Sequence, residues 1–305
     1  MTVSTRVTAV RMGPLTWLAV GLMTALGLMA FLWPLVASAG SAAVAHASDA
    51  PLLFALIIPV LLLVVLAQVS EGGMDAKTIA MLGVLSAVIA ALRPLGGGAA
   101  GLEPIWAILI LSARALGPGF GFSLGAISLF ASALVTGGVG PWLPFQMIAA
   151  AWVGLGAGLL PRTRGHVREL AMLCVYATVA CLVYGLLMNL WFWPFTTSLP
   201  DQLAYNAGAP AIDNLSTWIR FSLVTSLGYD IPRAILSVVV IAVAGGPILH
   251  VLRRMARKAA FEPSVTFTES DIAEQAPAST LATTTSGVAA RTTTPPRTGT
   301  DRGEQ

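Results

Sequence analysis

The sequence predicts an all-α integral membrane protein with about eight transmembrane helices, and three observations carry that reading. Of its 305 residues, 56% are hydrophobic and 10% are charged, against roughly a quarter charged in soluble domains, too few to cover a water-facing surface. The apolar residues come in long blocks with short polar punctuation, the pattern of bilayer spans rather than of amphipathic helices. The basic residues gather at the ends of those blocks, so a net charge of +3 and a pI near 9.2 read as topology and not as a nucleic-acid footprint.

Taken in order, the apolar runs place helices at 15–37, 51–70, 76–92, 104–116, 119–136, 143–161, 168–193 and 231–252, the fourth being short for a span. Arg6 and Arg11 ahead of the run from Leu15 look like a signal peptide, and Ala37-Ser38-Ala39 would suit cleavage. The run is longer than a signal h-region and more spans follow it, so an uncleaved first helix is expected. Segment 194–230 is too polar to span. Within it, the spacing of Thr217 to Val224 suits an interfacial or pocket-covering helix. From about 263 to Gln305 the composition turns to Thr, Ser, Ala, Pro and isolated charges, too little apolar material to fold, and disorder is expected. The organisation that follows is an N-terminal extension with two helices (1–75), a six-helix core (76–262) and a tail (263–305).

Alternating these spans puts Arg6, Arg11, Lys77, Arg114, Arg162, Arg164, Arg168, Arg253, Arg254, Arg257 and Lys258 on one side, and Arg93, Arg220 and Arg233 on the other. Basic residues favour the cytoplasm, so both termini are expected there, with 194–230 outside the cell membrane.

No phosphate-binding Gly-rich loop ending in Lys-Ser or Lys-Thr is present, which excludes ATP hydrolysis by the P-loop route. Gly96-Gly97-Gly98 and Gly137-Gly138-Val139-Gly140 read as turns between spans. No nucleophile has a nearby base, and the spans are almost free of facing ionisable groups, so no catalytic residue is assigned. His46, His166 and His250 have no metal-ligand spacing, and neither a metal nor a cofactor is expected. Cys174 and Cys181 share one helix face at a separation that no disulfide can bridge, and read as packing residues.

Polar and aromatic residues collect at the outer ends of the later helices. Arg93 and Glu103 bracket one loop, and Trp142, Pro144 and Gln146 open the sixth helix. Asn189, Trp191 and Trp193 close the seventh. Tyr205, Asn206, Asp213, Asn214, Trp218 and Arg220 follow, and Tyr229, Asp230 and Arg233 lead into the eighth. Tryptophan and tyrosine gather at membrane interfaces regardless of function, and Asp230 and Arg233, one turn apart, could form a simple local pair. Amides and charges accompany the aromatics on one side only, as a pocket for a planar or amphipathic molecule requires. The candidate ligand contacts are Trp142, Gln146, Asn189, Trp193, Asn214, Asp230 and Arg233. In the third span Gly83, Ala87 and Ala91 recur every four residues, with Ala76 and Ala80 toward the other end. Such a ridge permits close helix approach, either by the chain's own helices or by a partner.

The stretches Thr78-Ile-Ala-Met-Leu-Gly-Val-Leu-Ser-Ala-Val-Ile-Ala-Ala-Leu-Arg93, Leu116-Gly-Pro-Gly-Phe-Gly-Phe-Ser-Leu-Gly-Ala126 and Gly137-Gly-Val-Gly-Pro-Trp-Leu-Pro-Phe-Gln-Met147 resemble the membrane S components of energy-coupling factor transporters. The likeness runs over roughly 76–258 and leaves the first two helices as an addition. It implies a six-helix core that captures a vitamin-type micronutrient at its outer face. A transmembrane coupling subunit and two cytoplasmic ATPases would then drive release inward. The family docks its coupling subunit through an Ala-x-x-x-Ala element, for which the pairs Ala76/Ala80, Gly83/Ala87 and Ala87/Ala91 all qualify, so the resemblance implies Ala80, Gly83, Ala87 and Ala91 as candidate docking residues. The Trp-rich outer face and long outer segment lean toward a large corrinoid, cobalamin or a precursor. A structural or scaffold subunit of a membrane complex, binding no small molecule, is the alternative.

Overall fold

The computed structural model describes residues 12–37, 50–71, 74–96, 101–196 and 198–261. Arg6, Arg11, the Ser38-Ala39 step of the cleavage-like motif, His46, Gly97, Gly98 and the expected tail at 263–305 lie outside them. The described residues all fall within one compact unit. They form nine α-helices: α1 (Pro14–Val36), α2 (Ala50–Ser70), α3 (Ala76–Leu92), α4 (Ile105–Leu116), α5 (Pro118–Thr136), α6 (Leu143–Leu159), α7 (His166–Phe192), α8 (Ala211–Thr225) and α9 (Leu227–Phe261). Short 3-10 turns, Arg93–Gly96 and Trp193–Phe195, extend α3 and α7. Helices α1, α3, α5, α7 and α9 are long and apolar enough to cross a membrane, while α4, α6 and the Pro59–Ser70 part of α2 are shorter apolar helices. The protein is thus an all-α, multi-pass membrane protein, and its apolar helices correspond one for one to the eight expected spans.

The helix limits have local causes. Asp75 caps α3, its carboxylate accepting from the Thr78 N–H at 2.8 Å. Gly117, at φ 109°, ends α4 and starts α5, with Pro118 as the first helical residue. Two limits differ from those expected. Helix α9 begins at Leu227, ahead of Pro232, because a proline near a helix start costs few backbone bonds. It continues past 252 to Phe261 through Arg, Met, Ala and Lys, all good helix formers. Segment 194–230 holds a longer helix than the Thr217–Val224 pattern marked, and α8 joins α9 through Ser226 alone.

Packing is closest between α5 and α6. A Cβ on Gly121 would strike the Gly154 carbonyl and one on Gly154 the Gly121 carbonyl, while Gly125 abuts Ala150 and Gly158 abuts Pro118. Small residues four apart on both helices let the backbones meet, which is how membrane helices gain van der Waals contact without a hydrophobic driving force. The first two helices are packed into this core. Phe31 of α1 meets Phe145 of α6 edge-on at 5.1 Å, and the Trp152 indole donates to the Thr24 hydroxyl at 3.2 Å. Buried Gln68 of α2 donates to the Gly119 carbonyl at 3.2 Å and accepts from the Ser123 hydroxyl at 3.0 Å. Away from water those polar groups have few other partners, so the bonds fix how α2 sits on α5.

At one end of the bundle, the guanidinium of buried Arg114 donates to Glu169 at 2.7 Å and to the Leu160 and Pro161 carbonyls at 2.7 and 3.0 Å. Arg253 donates to the same Glu169 oxygen at 2.6 Å. Arg114, expected as one of the basic residues that set the topology, is a buried clasp that satisfies the carbonyls at the end of α6 and ties α4 to α7 and α9.

Candidate outer cavity

At the other end, the helix termini enclose a cavity of about 390 Å³ lined by Glu103, Gln146, Tyr184, Gly185, Met188, Asn189, Phe192, Thr196, Leu199, Phe221, Thr225, Ser226, Tyr229, Asp230 and Arg233. A second chamber of about 440 Å³ adjoins it, sharing Gln146, Met188, Asn189 and Phe192 and adding Trp142 and Trp191. Helix α7 forms the shared wall, α9 and the residues before α4 form the floor, and α8 closes one side with Phe221 and Thr225. Helix α8 packs on α1, α7 and α9 and so forms that side of the cavity.

The floor is an ion network. Arg233 donates through Nη1 to Asp230 at 2.6 Å and through Nε to Glu103 at 3.0 Å. The Ser226 hydroxyl donates to the other Asp230 oxygen at 2.5 Å, and the Trp106 indole donates to Glu103 Oε2 at 2.7 Å. The guanidinium carbon lies 5.2 Å from the Tyr184 ring centroid and 5.9 Å from that of Trp106, the two rings being 4.3 Å apart. A charge inside a membrane domain is costly unless paired and hydrogen-bonded, and each of these three is. Gly185 makes room for the network: a Cβ there would overlap both oxygens of Asp230.

Four of the seven residues expected as ligand contacts, Gln146, Asn189, Asp230 and Arg233, line this main chamber, and Trp142 lines the adjoining one. The Gln146 carbonyl accepts from Arg93 at 2.8 Å. Trp142 donates to the Gly138 carbonyl at 3.2 Å. Trp193 and Asn214 are elsewhere. The Trp193 ring is fully buried, with its indole donating to the Leu203 carbonyl at 2.7 Å. The Asn214 amide bonds the Asn206 backbone, donating to its carbonyl at 2.9 Å. Both hold the outer segment together, with Tyr205 packed between Trp193 at 5.2 Å and Trp33 of α1 at 6.2 Å. The local Asp230–Arg233 pair exists, but it has a third member, Glu103, from 130 residues away. Sequence reasoning placed Glu103 in a loop and passed over Tyr184, Phe192, Phe221 and Ser226. A tyrosine in mid-span was the one visible signal.

On α3, Ala80, Gly83, Ala87 and Ala91 all face outward, and nothing lies within 4 Å of a Cβ placed on Gly83. The ridge is therefore not used by the chain's own described helices. Cys174 and Cys181 are free thiols, and among the described residues no His, Cys, Asp or Glu group is placed to hold a metal.

The family model described as "ECF transporter, substrate-specific component" matches residues 77–245. That stretch begins within α3 and takes in every residue lining the two chambers. No curated protein and no solved structure matches the chain.

Proposed function

Because this chain belongs to the family of ECF transporter substrate-specific components, we propose that the outer cavity captures a compact, vitamin-sized molecule for ATP-driven import. Components of this kind bind small-molecule substrates and work with a membrane coupling component and ATPases, and theirs is a family of transporter parts, not of enzymes. The observation that carries the proposal is the cavity itself, with aromatic walls from Tyr184, Phe192, Phe221 and Tyr229 around a few fixed polar groups, the composition of small-molecule sites. Its volume of about 390 Å³ falls low in the range of roughly 300–1,000 Å³ typical of such sites. That size supports a compact ligand over the expected corrinoid, which would have to spread through both chambers.

The cavity opens at the end carrying Arg93 and Arg233, and the opposite end carries Arg114, Arg162, Arg164 and Arg253. We read the former as extracellular and both termini as cytoplasmic, on the bias of basic residues toward the cytoplasm. The outward ridge Ala80, Gly83, Ala87 and Ala91 is the docking face for the coupling subunit in this reading, since small residues allow close helix approach.

Mass spectrometry of small molecules retained by the purified full-length protein, followed by titration of the identified compound, tests the proposal. Binding of one compound that weakens at least about tenfold in Asn189→Ala is the expected result. Absence of any retained or bound small molecule would favour the scaffold alternative.

A further inference from the structure

We infer that the substrate is an uncharged or cationic molecule that presents a hydrogen-bond-donating edge to Glu103 and an acceptor to Asn189. This rests on the reading of the cavity as the substrate site. The inference follows from counting which polar atoms of the cavity are already used. Both Asp230 oxygens are taken, by Arg233 and Ser226. The Gln146 carbonyl is taken by Arg93, whose own charge stands behind Gln146 and not among the lining residues. Glu103 accepts both of its bonds, from Trp106 and Arg233, on Oε2. Its Oε1 bonds nothing among the described residues, which leaves a carboxyl oxygen at the cavity floor able to accept from a ligand.

Of the donors lining the cavity, one is both buried and without a partner. Asn189 Nδ2 is buried without a partner on the wall shared by the two chambers. A buried donor with no acceptor is unfavourable, and a ligand acceptor at that point would satisfy it. Arg233 has two of its three nitrogens bonded and its face over Tyr184. An anionic ligand reaching for its remaining nitrogen would meet two carboxylates around one guanidinium. The charge pattern therefore works against anions, while the open Oε1 favours an N–H donor or a cation.

The test is equilibrium dialysis of the purified full-length protein against thiamine as a cationic probe, riboflavin as an uncharged planar probe and biotin as an anionic probe. Thiamine or riboflavin should bind at least about tenfold more tightly than biotin, and Glu103→Gln should reduce that preference about tenfold. The wild-type ranking needs no variant and stands even if Glu103→Gln fails to fold. Biotin binding most tightly would overturn the inference, as would an unchanged ranking in folded Glu103→Gln while Asn189→Ala still weakens binding. In either case the cavity remains a substrate site. If none of the three probes binds, the charge of whatever compound the protein retains through purification decides. A carboxylate or phosphate overturns the inference, and a cation or uncharged donor supports it. No bound probe and no retained compound would instead remove the substrate reading of the cavity, and the inference with it.

Discussion

Gly185 on α7 lies directly against the carboxylate of Asp230 on α9, so close that a single methyl at 185 would occupy the space of both oxygens. The whole floor of the cavity depends on this contact, because Asp230 in turn holds Arg233 and Arg233 reaches Glu103.

Gly185→Val should therefore push Asp230 out of register and leave Arg233 with one acid. Overpacking of a tight site costs about 1–3 kcal/mol, so a lowered unfolding midpoint in detergent is expected, together with weakened retention of the native ligand. Gly228→Ala, where a Cβ meets nothing within 4 Å on the same helix as Asp230, serves as the control and should leave both unchanged.

Glycines on α5 and α3 should respond oppositely to a bulky side chain. Gly121→Leu forces α5 from α6 and should abolish the folded protein, seen as loss of monodisperse material on size exclusion. Gly83→Leu, Ala80→Leu or Ala87→Leu adds bulk to an outward face and should leave folding and ligand retention intact while reducing co-purification with the coupling subunit. Undiminished assembly in all three would exclude this ridge as the docking face.

Glu71, just past α2, caps α1 from outside: its carboxylate accepts from the Leu15 and Thr16 N–H groups at 2.7 and 2.9 Å and from the Thr16 hydroxyl. These bonds, the Thr16 hydroxyl foremost, hold its pKa below the usual carboxylate range. A depressed folded value means that the cap is fully present above the ordinary glutamate pKa, about 4.3, and is lost as pH falls through the folded value. Protection of the Leu15 and Thr16 amides, as exchange rates corrected for the intrinsic pH dependence, should fall below that range in the wild type. In Glu71→Gln the protection should be low already at pH 7, with no further acid step.

Removing Arg114 should be costly because Glu169 is buried and would keep only the half-exposed Arg253. Breaking a buried ion pair by deleting one partner costs about 3–5 kcal/mol, and two carbonyls at the end of α6 would also lose their donor. Arg114→Leu is expected to lower the unfolding midpoint far more than Arg254→Leu, an exposed neighbour of the same end. Equal midpoints would show that Arg114 is merely a topogenic charge.

Much of this architecture was legible in the chain. Span length and apolarity are local properties, since every backbone group in lipid must be satisfied within its own helix, and all eight apolar helices appear where their runs predict. The pairing of Asp230 with Arg233 was legible for the same reason, as one helical turn separates them. The general place of the cavity also followed, because charges and amides at one end of several spans have few reasons to gather there.

Side-chain direction was decided only by the tertiary structure. Trp193 and Asn214 have the same composition signal as Asn189 and Arg233, yet they bond backbone of the outer segment, because nothing in a residue's type says which way a turn will aim it. The small residues of α3 and those of α5 and α6 are alike in spacing. Packing alone assigns one set to the outside and the other to a helix crossing. Glu103 joined Arg233 across 130 residues because α4 and α9 pack side by side, and such long-range contacts are a property of the assembled bundle. The sequence by itself thus determined a membrane helix bundle with polar residues gathered at one end. The shape of the cavity, the free carboxylate oxygen in it and the exposed ridge arose from which helix faces met, since in a bilayer close packing and polar satisfaction, rather than hydrophobic burial, choose among apolar faces.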